Sequence, residues 1–389
     1  MKSVASLLTL LCFVPALSLA EPPSLAPVEP STLAATLTPP EVAAKGYLLI
    51  SHPSGQVLAE FNADERLEPA SLTKTMTAYV VFHELAAGHI ALSDEVLVSE
   101  KAWRTGGSRM FIEVGKKIEL EALLMGMVIQ SGNDASVALA EHIAGSEEGF
   151  ATLMNAHAQR LGMTNSHFVN ATGLPDPQEY TTARDMAKVV TATILEFPEY
   201  YKWYGVKEYE HNNITQHNRN KLLWQDDSVD GVKTGHTEGA GYCLIASAQR
   251  EGMRLTSVVM GAGSQSARAQ ASLALLNFGF RAFEGQRLYD AGAQIQSLRV
   301  WMGDQTQLPV GSVDDVFATF PRGHYGELSA HIQQQPDLVA PIAKGQQVGD
   351  IVVMMGEQEL SRQPLVALVD VAEGGIWAQV RDTVLRWFY

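Results

Sequence analysis

Three short stretches carry side chains that could do chemistry together. In "EPASLTKTMTAY", Ser71 and Lys74 stand three residues apart just inside what reads as a helix start. That spacing puts both on one helical face, within reach of each other. A helix N-terminus also offers backbone N–H groups to a developing oxyanion. The chemistry would be attack by a hydroxyl that hands its proton to an amine. A lysine accepts a proton only when neutral, so Lys74 needs burial and a second cation nearby. "SGN", Ser131 to Asn133, offers a hydroxyl and an amide between an apolar helical run and another helix start. "KTG", Lys233 to Gly235, adds a cation, a hydroxyl and a glycine past which a substrate backbone can approach closely. Each stretch alone is unremarkable: roughly one S-x-x-K is expected by chance in a chain this long, and this is the only one here.

The elements that must position these groups can be read from pattern. "YLLISH" and "QVLAEFN" are β-type runs joined by a "PSG" turn, a hairpin. Helical patterns cover Ser71 to Ala87, "LEALLMGMVIQ", "DASVALAEHIAG", "GFATLMNAHAQRLG" and "ARDMAKVVTATILEF". "GYCLIASAQ", which the KTG stretch leads into, and "MRLTSVVMGA" read as adjacent strands, followed by a long helix from about Ala267 to Phe283. Strands at both ends with helices between predict one mixed sheet built from distant segments. From Gly285 to Val371 short alternating strands with Gly and Pro punctuation predict a small separate β domain.

Composition narrows the function classes. The chain has 389 residues, 46% apolar and 18% charged, an ordinary balance for more than one globular domain. A net charge of -15 without clustered Lys and Arg argues against a nucleic-acid partner. Residues 1–20 read as a secretory signal cleaved after Ala20, with an uncleaved membrane anchor as the competing reading. Residues 21–40 hold six of the seventeen prolines and read as an extended linker. Cys12 leaves with the signal, so Cys243 is the one cysteine of the mature chain, expected as a buried small hydrophobe.

The order S-x-x-K, S-x-N, K-T-G is the motif set of penicillin-binding proteins and serine β-lactamases. With "SGNDASVALAEHIAGS", "LGMTNSHFVNATGLPD", "HNRNKLLW", "VDGVKTGHTEGAGYCLIASA", "FPRGHYGEL" and "APIAKGQQVGDIVV", the chain resembles the D-alanyl-D-alanine carboxypeptidases, the low-molecular-mass penicillin-binding proteins, over nearly its whole mature length. The resemblance implies an α+β transpeptidase-like fold at 41–284, a small all-β domain at 285–371 and an amphipathic tail at 372–389. It implies removal of a terminal D-alanine from peptidoglycan stem peptides through an acyl-enzyme and inhibition by β-lactams; no cofactor is expected, and with no His, Asp or Glu cluster at metal spacing no metal is expected either. By the same resemblance Ser71 is the nucleophile and Lys74 its base. Ser131 passes a proton to the leaving amine, and Asn133 holds the substrate amide and Lys74. Lys233 helps keep Lys74 neutral, and Thr234 binds the terminal carboxylate beside Gly235. His236 pairs its N–H with that of Ser71 in an oxyanion hole, and Arg268 aligns with a carboxylate-binding arginine.

The tail "GGIWAQVRDTVLRWFY" places Ile376, Trp377, Val380, Val384, Trp387 and Phe388 on one helical arc and Gln379, Asp382, Thr383 and Arg386 opposite. Too short and polar to span a bilayer, it suits an in-plane anchor on the periplasmic face of the inner membrane. A terminal helix packed on the β domain is the alternative. Rival functions are a serine β-lactamase, a muropeptide endopeptidase and a non-catalytic peptidoglycan-binding module. The first needs a dedicated deacylating carboxylate, and the loop "GLPDPQEYTTA" holds no Glu in a Glu-x-x-Asn context. "HELAAGH" lacks zinc-ligand spacing, so His83 and His89 read as helix-end residues; Glu147 and Glu148 read as a solvated loop.

Overall fold

The computed structural model describes residues 38–52 and 54–386. Every described helix and strand belongs to one compact unit, Pro39–Tyr389. The expected signal, nearly all of the linker, and Trp387 and Phe388 of the tail lie outside the described residues.

The expected hairpin is β1 (Gly46–His52) and β2 (Val57–Phe61). Two short ribbons follow among helices, β3 (Glu95–Leu97) with β4 (Lys117–Glu119) and β5 (Glu208–His211) with β6 (Ile214–His217). β7 (Val229–Thr237), β8 (Gly241–Arg250) and β9 (Met253–Ala262) then form a meander. The sheet order is β2-β1-β9-β8-β7. Every pairing is antiparallel, so the expected mixed sheet is corrected: hairpins join its neighbours, and β1 runs against β9. Lys233–Gly235 lies inside the edge strand β7 rather than ahead of a strand.

Alternate strand residues bury opposite faces. Leu48 and Ile50 join the core around α1 (Thr73–Ala86). On the other face Leu49 and Leu255 lie against Gly279 of the long C-terminal helix Gln265–Ala282. α1 is buried from Thr73 through Phe82, a central helix rather than an amphipathic one. Its buried threonines are satisfied: Thr75 Oγ1 donates to the Leu72 carbonyl one turn back and Thr77 Oγ1 to the distant Ala171 carbonyl. The run "LEALLM" is α-helical and loosens into a π-type turn over Gly126–Gln130 before α2 (Asn133–Ala144). α3 (Glu147–Arg160) is capped by Ser146. Glu147 and Glu148 are therefore in a first helical turn, where acidic residues are favoured, and not in a loop. Glu147 is mostly buried, pairing with Lys101 and accepting from the Ala171 N–H. α4 (Ala183–Glu196) starts at a Thr182 cap. His83 lies within α1 and packs on His157. Cys243 is buried, as expected.

The remaining strands are β10 (Phe283–Tyr289), β11 (Gln296–Arg299), β12 (Gln307–Gly311), β13 (Val316–Pro321), β14 (Leu328–Gln334), β15 (Gln347–Met355) and β16 (Gln358–Ala367). β10 pairs with β13, and the others order as β11-β12-β16-β15-β14 around Leu298, Val310, Phe320, Val353 and Leu365. The chain closes on α5 (Ile376–Leu385). Its Asp382 is fully buried and accepts the Met302 N–H at 2.7 Å, while Arg386 reaches Asp337. Ile376 and Trp377 are 78% and 86% exposed, and Val380 and Val384 are exposed too. The helix thus docks on the β domain by its polar side and leaves its apolar side uncovered. No helix among the described residues is long and apolar enough to cross a membrane.

Candidate active site

Ser71 sits in a 3-10 turn, Ala70–Leu72, that feeds directly into α1. Ala70 has φ +48°, a left-handed conformation that costs a non-glycine residue about 1–2 kcal/mol. Two glycines let other segments press on this turn. A Cβ on Gly173 would lie 1.8 Å from the Ala70 carbonyl oxygen, and one on Gly235 would crowd Pro69 O, Ala70 Cβ and Leu72 N at 3.1–3.2 Å. The close approach expected for Gly235 to a substrate backbone is made here by the turn that carries Ser71.

Lys74, 1% exposed, directs its Nζ to Ser71 Oγ at 3.1 Å, Asn133 Oδ1 at 2.6 Å and the Thr172 carbonyl at 2.6 Å. Burial lowers its pKa from 10.5 to about 7, while the acidic groups Glu179, Asp134 and Glu147 act in the opposite direction. The ammonium is thus half-released near neutrality. Asn133 holds Lys74 as expected, but its Nδ2 donates to the Gly106 carbonyl instead of standing free.

Ser131 closes the π-type turn with φ +68°, and its Oγ accepts from Lys233 Nζ at 2.9 Å. Lys233 also donates to the Thr234 carbonyl. Burial first, then the like charges of Lys74, Arg268 and Arg219, push Lys233 well below the usual lysine range. Burial is what lowers Lys74, and the repulsion between the two lysines falls on Lys233. Thr234 faces the cleft beside Gly235, and exposed His236 stacks on Tyr242 with ring centroids 4.0 Å apart. Arg268 reaches the same cleft, with Nη1 donating to the Gly235 and Cys243 carbonyls.

These groups line or back a cleft of about 560 Å³ whose wall also includes Ser108, Phe111, Gln130 and the β6 segment up to Arg219. Sequence reading missed that wall, because the β5–β6 ribbon is short and polar. It also missed Asp134, whose carboxylate accepts the N–H groups of Met110, Phe111 and Ile112 and so fixes the Ser108 segment. An acidic residue in the first turn of α2, next to "SGN", was the available signal.

A serine hydroxyl, a buried amine of lowered basicity and a second buried lysine thus converge from the Ala70–Leu72 turn, α1 and β7. The family model described as D-alanyl-D-alanine carboxypeptidase matches residues 33–264, more than half of the chain. The chain belongs to that family. A second model, the C-terminal domain of penicillin-binding protein 5, matches residues 283–373 of this D-alanyl-D-alanine carboxypeptidase family member. D-alanyl-D-alanine carboxypeptidase DacC of Escherichia coli is 44% identical over 91% of this chain and 90% of that protein. The crystal structure of penicillin binding protein 5 from Haemophilus influenzae is 41% identical, with TM-score 0.80 over 86% of this chain and 99% of that one. Penicillin-binding protein D2 from Listeria monocytogenes, in its ampicillin-bound form, is 28% identical with TM-score 0.58, covering 62% of this chain and 100% of that one. The chain is thus a carboxypeptidase with an α+β catalytic domain and a C-terminal all-β domain.

Proposed function

We propose that Ser71 attacks the carbonyl between two D-alanines at the end of a peptidoglycan stem peptide while Lys74 Nζ takes its proton. The Ser71 and His236 N–H groups hold the oxyanion. Ser131, bonded to Lys233, passes a proton to the leaving D-alanine amine. Thr234, with Arg268 behind it, takes the terminal carboxylate, and water then hydrolyses the acyl-enzyme. The observation that carries this reading is the 3.1 Å contact between Ser71 Oγ and a fully buried Lys74. β-Lactams would acylate the same serine.

The domain limits fitting this reading are 41–284 and 285–371, with β10 running across the boundary. Export to the periplasm rests on residues 1–20. Peripheral membrane attachment rests on the uncovered face of α5, where Ile376, Trp377, Val380 and Val384 suit the lipid interface.

Fluorescent penicillin should label the purified protein covalently, and Ser71→Ala should abolish labelling. An intact mass unchanged by penicillin would sink the acyl-enzyme reading. Rapid penicillin turnover without D-alanine release from a D-Ala-D-Ala peptide would favour a β-lactamase. A variant ending at Glu373 should move from the membrane to the soluble fraction; equal partition of both forms would remove the anchor.

A further inference from the structure

Glu179 is a buried carboxylate that the reaction above leaves without a task. It is 4% exposed, in the loop between Gly173 and α4. Its Oε1 accepts from Thr73 Oγ1 at 2.5 Å and its Oε2 from Asn170 Nδ2 at 2.6 Å. Asn170 Oδ1 in turn gathers the Thr172 N–H, the Thr172 hydroxyl and the Gly173 N–H at 2.7–3.0 Å. The Thr172 carbonyl is one of the three partners of Lys74 Nζ. One side of Glu179 therefore grips the residue next to Lys74 in α1, and the other grips the turn that accepts from Lys74.

These hydrogen bonds do not require a carboxylate. A glutamine would meet Asn170 with its oxygen and Thr73 with its NH2, because a hydroxyl can accept as well as donate. What a glutamine would lack is charge, and burying a carboxylate is costly unless it is paired and hydrogen-bonded. Among the charges acting on Lys74, that of Glu179 is the largest, and it favours the ammonium; burial raises Glu179 itself to about 7 against the opposing pull of Thr73 and Lys74, so the two groups titrate as a coupled pair. Burial alone would make Lys74 too weak a base, since a general base works best with its pKa near the working pH.

We propose that Glu179 is a positioning residue: it clamps the Asn170–Thr172 turn onto Lys74 and sets a carboxylate against the residue beside it in α1. The inference rests on the reading of Lys74 as base. The other groups that face the pair stay in place when Glu179 is changed. Toward Lys74 they are Asp134 from α2, Glu147 from α3 and Lys233 from β7; Arg268 and Arg219 face Lys233, and Asp176 faces Glu179.

The test is the second-order rate of acylation by a fluorescent penicillin from pH 5 to 9, for the full chain and for Glu179→Gln and Glu179→Ala. With the carboxylate gone Lys74 loses its proton more readily, so in Glu179→Gln the acid limb moves down by about one pH unit while the plateau falls only several-fold. Glu179→Ala also releases the turn, and its plateau falls about tenfold further. An acid limb that stays put or moves up in Glu179→Gln overturns the inference. So does loss of acylation at every pH in that variant, which would make the carboxylate itself the reacting base, or loss of the fold, which would make its charge structural. A wild-type chain that penicillin does not acylate would instead overturn the reading of Ser71 and Lys74.

Discussion

Around Ser71 the fold encloses Lys74, Lys233, Asp134, Glu179 and Arg268, none more than 7% exposed, whereas the described core between Leu298 and Val371 is apolar apart from Ser312 and Thr319. Burying ionisable groups costs free energy that apolar packing does not. The catalytic half accepts that cost because burial is what brings Lys74 to about 7. The β half tunes no reaction and is built as an ordinary strand core. Its one buried charge nearby, Asp382, belongs to α5 and serves attachment. Chemistry and placement are thus held by physically different interiors.

The comparison breaks most severely at Lys74. Replacing it with alanine should lower kcat/KM for a D-Ala-D-Ala peptide by about a thousandfold, with the β domain's melting unchanged; a loss under tenfold would move the base elsewhere. Next in size is pH. Below about 7 Lys74 holds its proton and cannot accept one from Ser71, so acylation should fall by about tenfold per unit of further acidification. A rate flat from pH 8 to 5 would show that burial does not set the base. The smallest effect belongs to the other interior. Asp382→Ala leaves the Met302 N–H without its acceptor and should loosen α5 by about 1–2 kcal/mol. Hydrogen exchange at the helix should rise while penicillin acylation stays constant, and coupled loss of acylation would mean that the two regions are not separate.

Much of the site was legible because the reactive groups sit in short motifs at element boundaries, and Ser71, Lys74, Ser131, Asn133 and Lys233 do converge. The hairpin and the central helices were legible from periodicity. β7 was not, since its residues are buried on both faces and show no alternation. Glu179 escaped for a different reason. A deacylating glutamate is sought three residues before an asparagine, whereas here Asn170 comes first and the loop folds back to bring Glu179 within 2.6 Å of it. Linear order hides a contact made by a returning loop. The left-handed Ala70 carries no signature either, because its conformation is imposed by neighbours.

The two glycines pressed against Ala70 tie Ser71 to segments synthesised much later. Before the Gly173 loop and β7 arrive, the Ala70 turn lacks the close contacts that press on it in the folded chain. Covalent labelling by penicillin should therefore report completed folding.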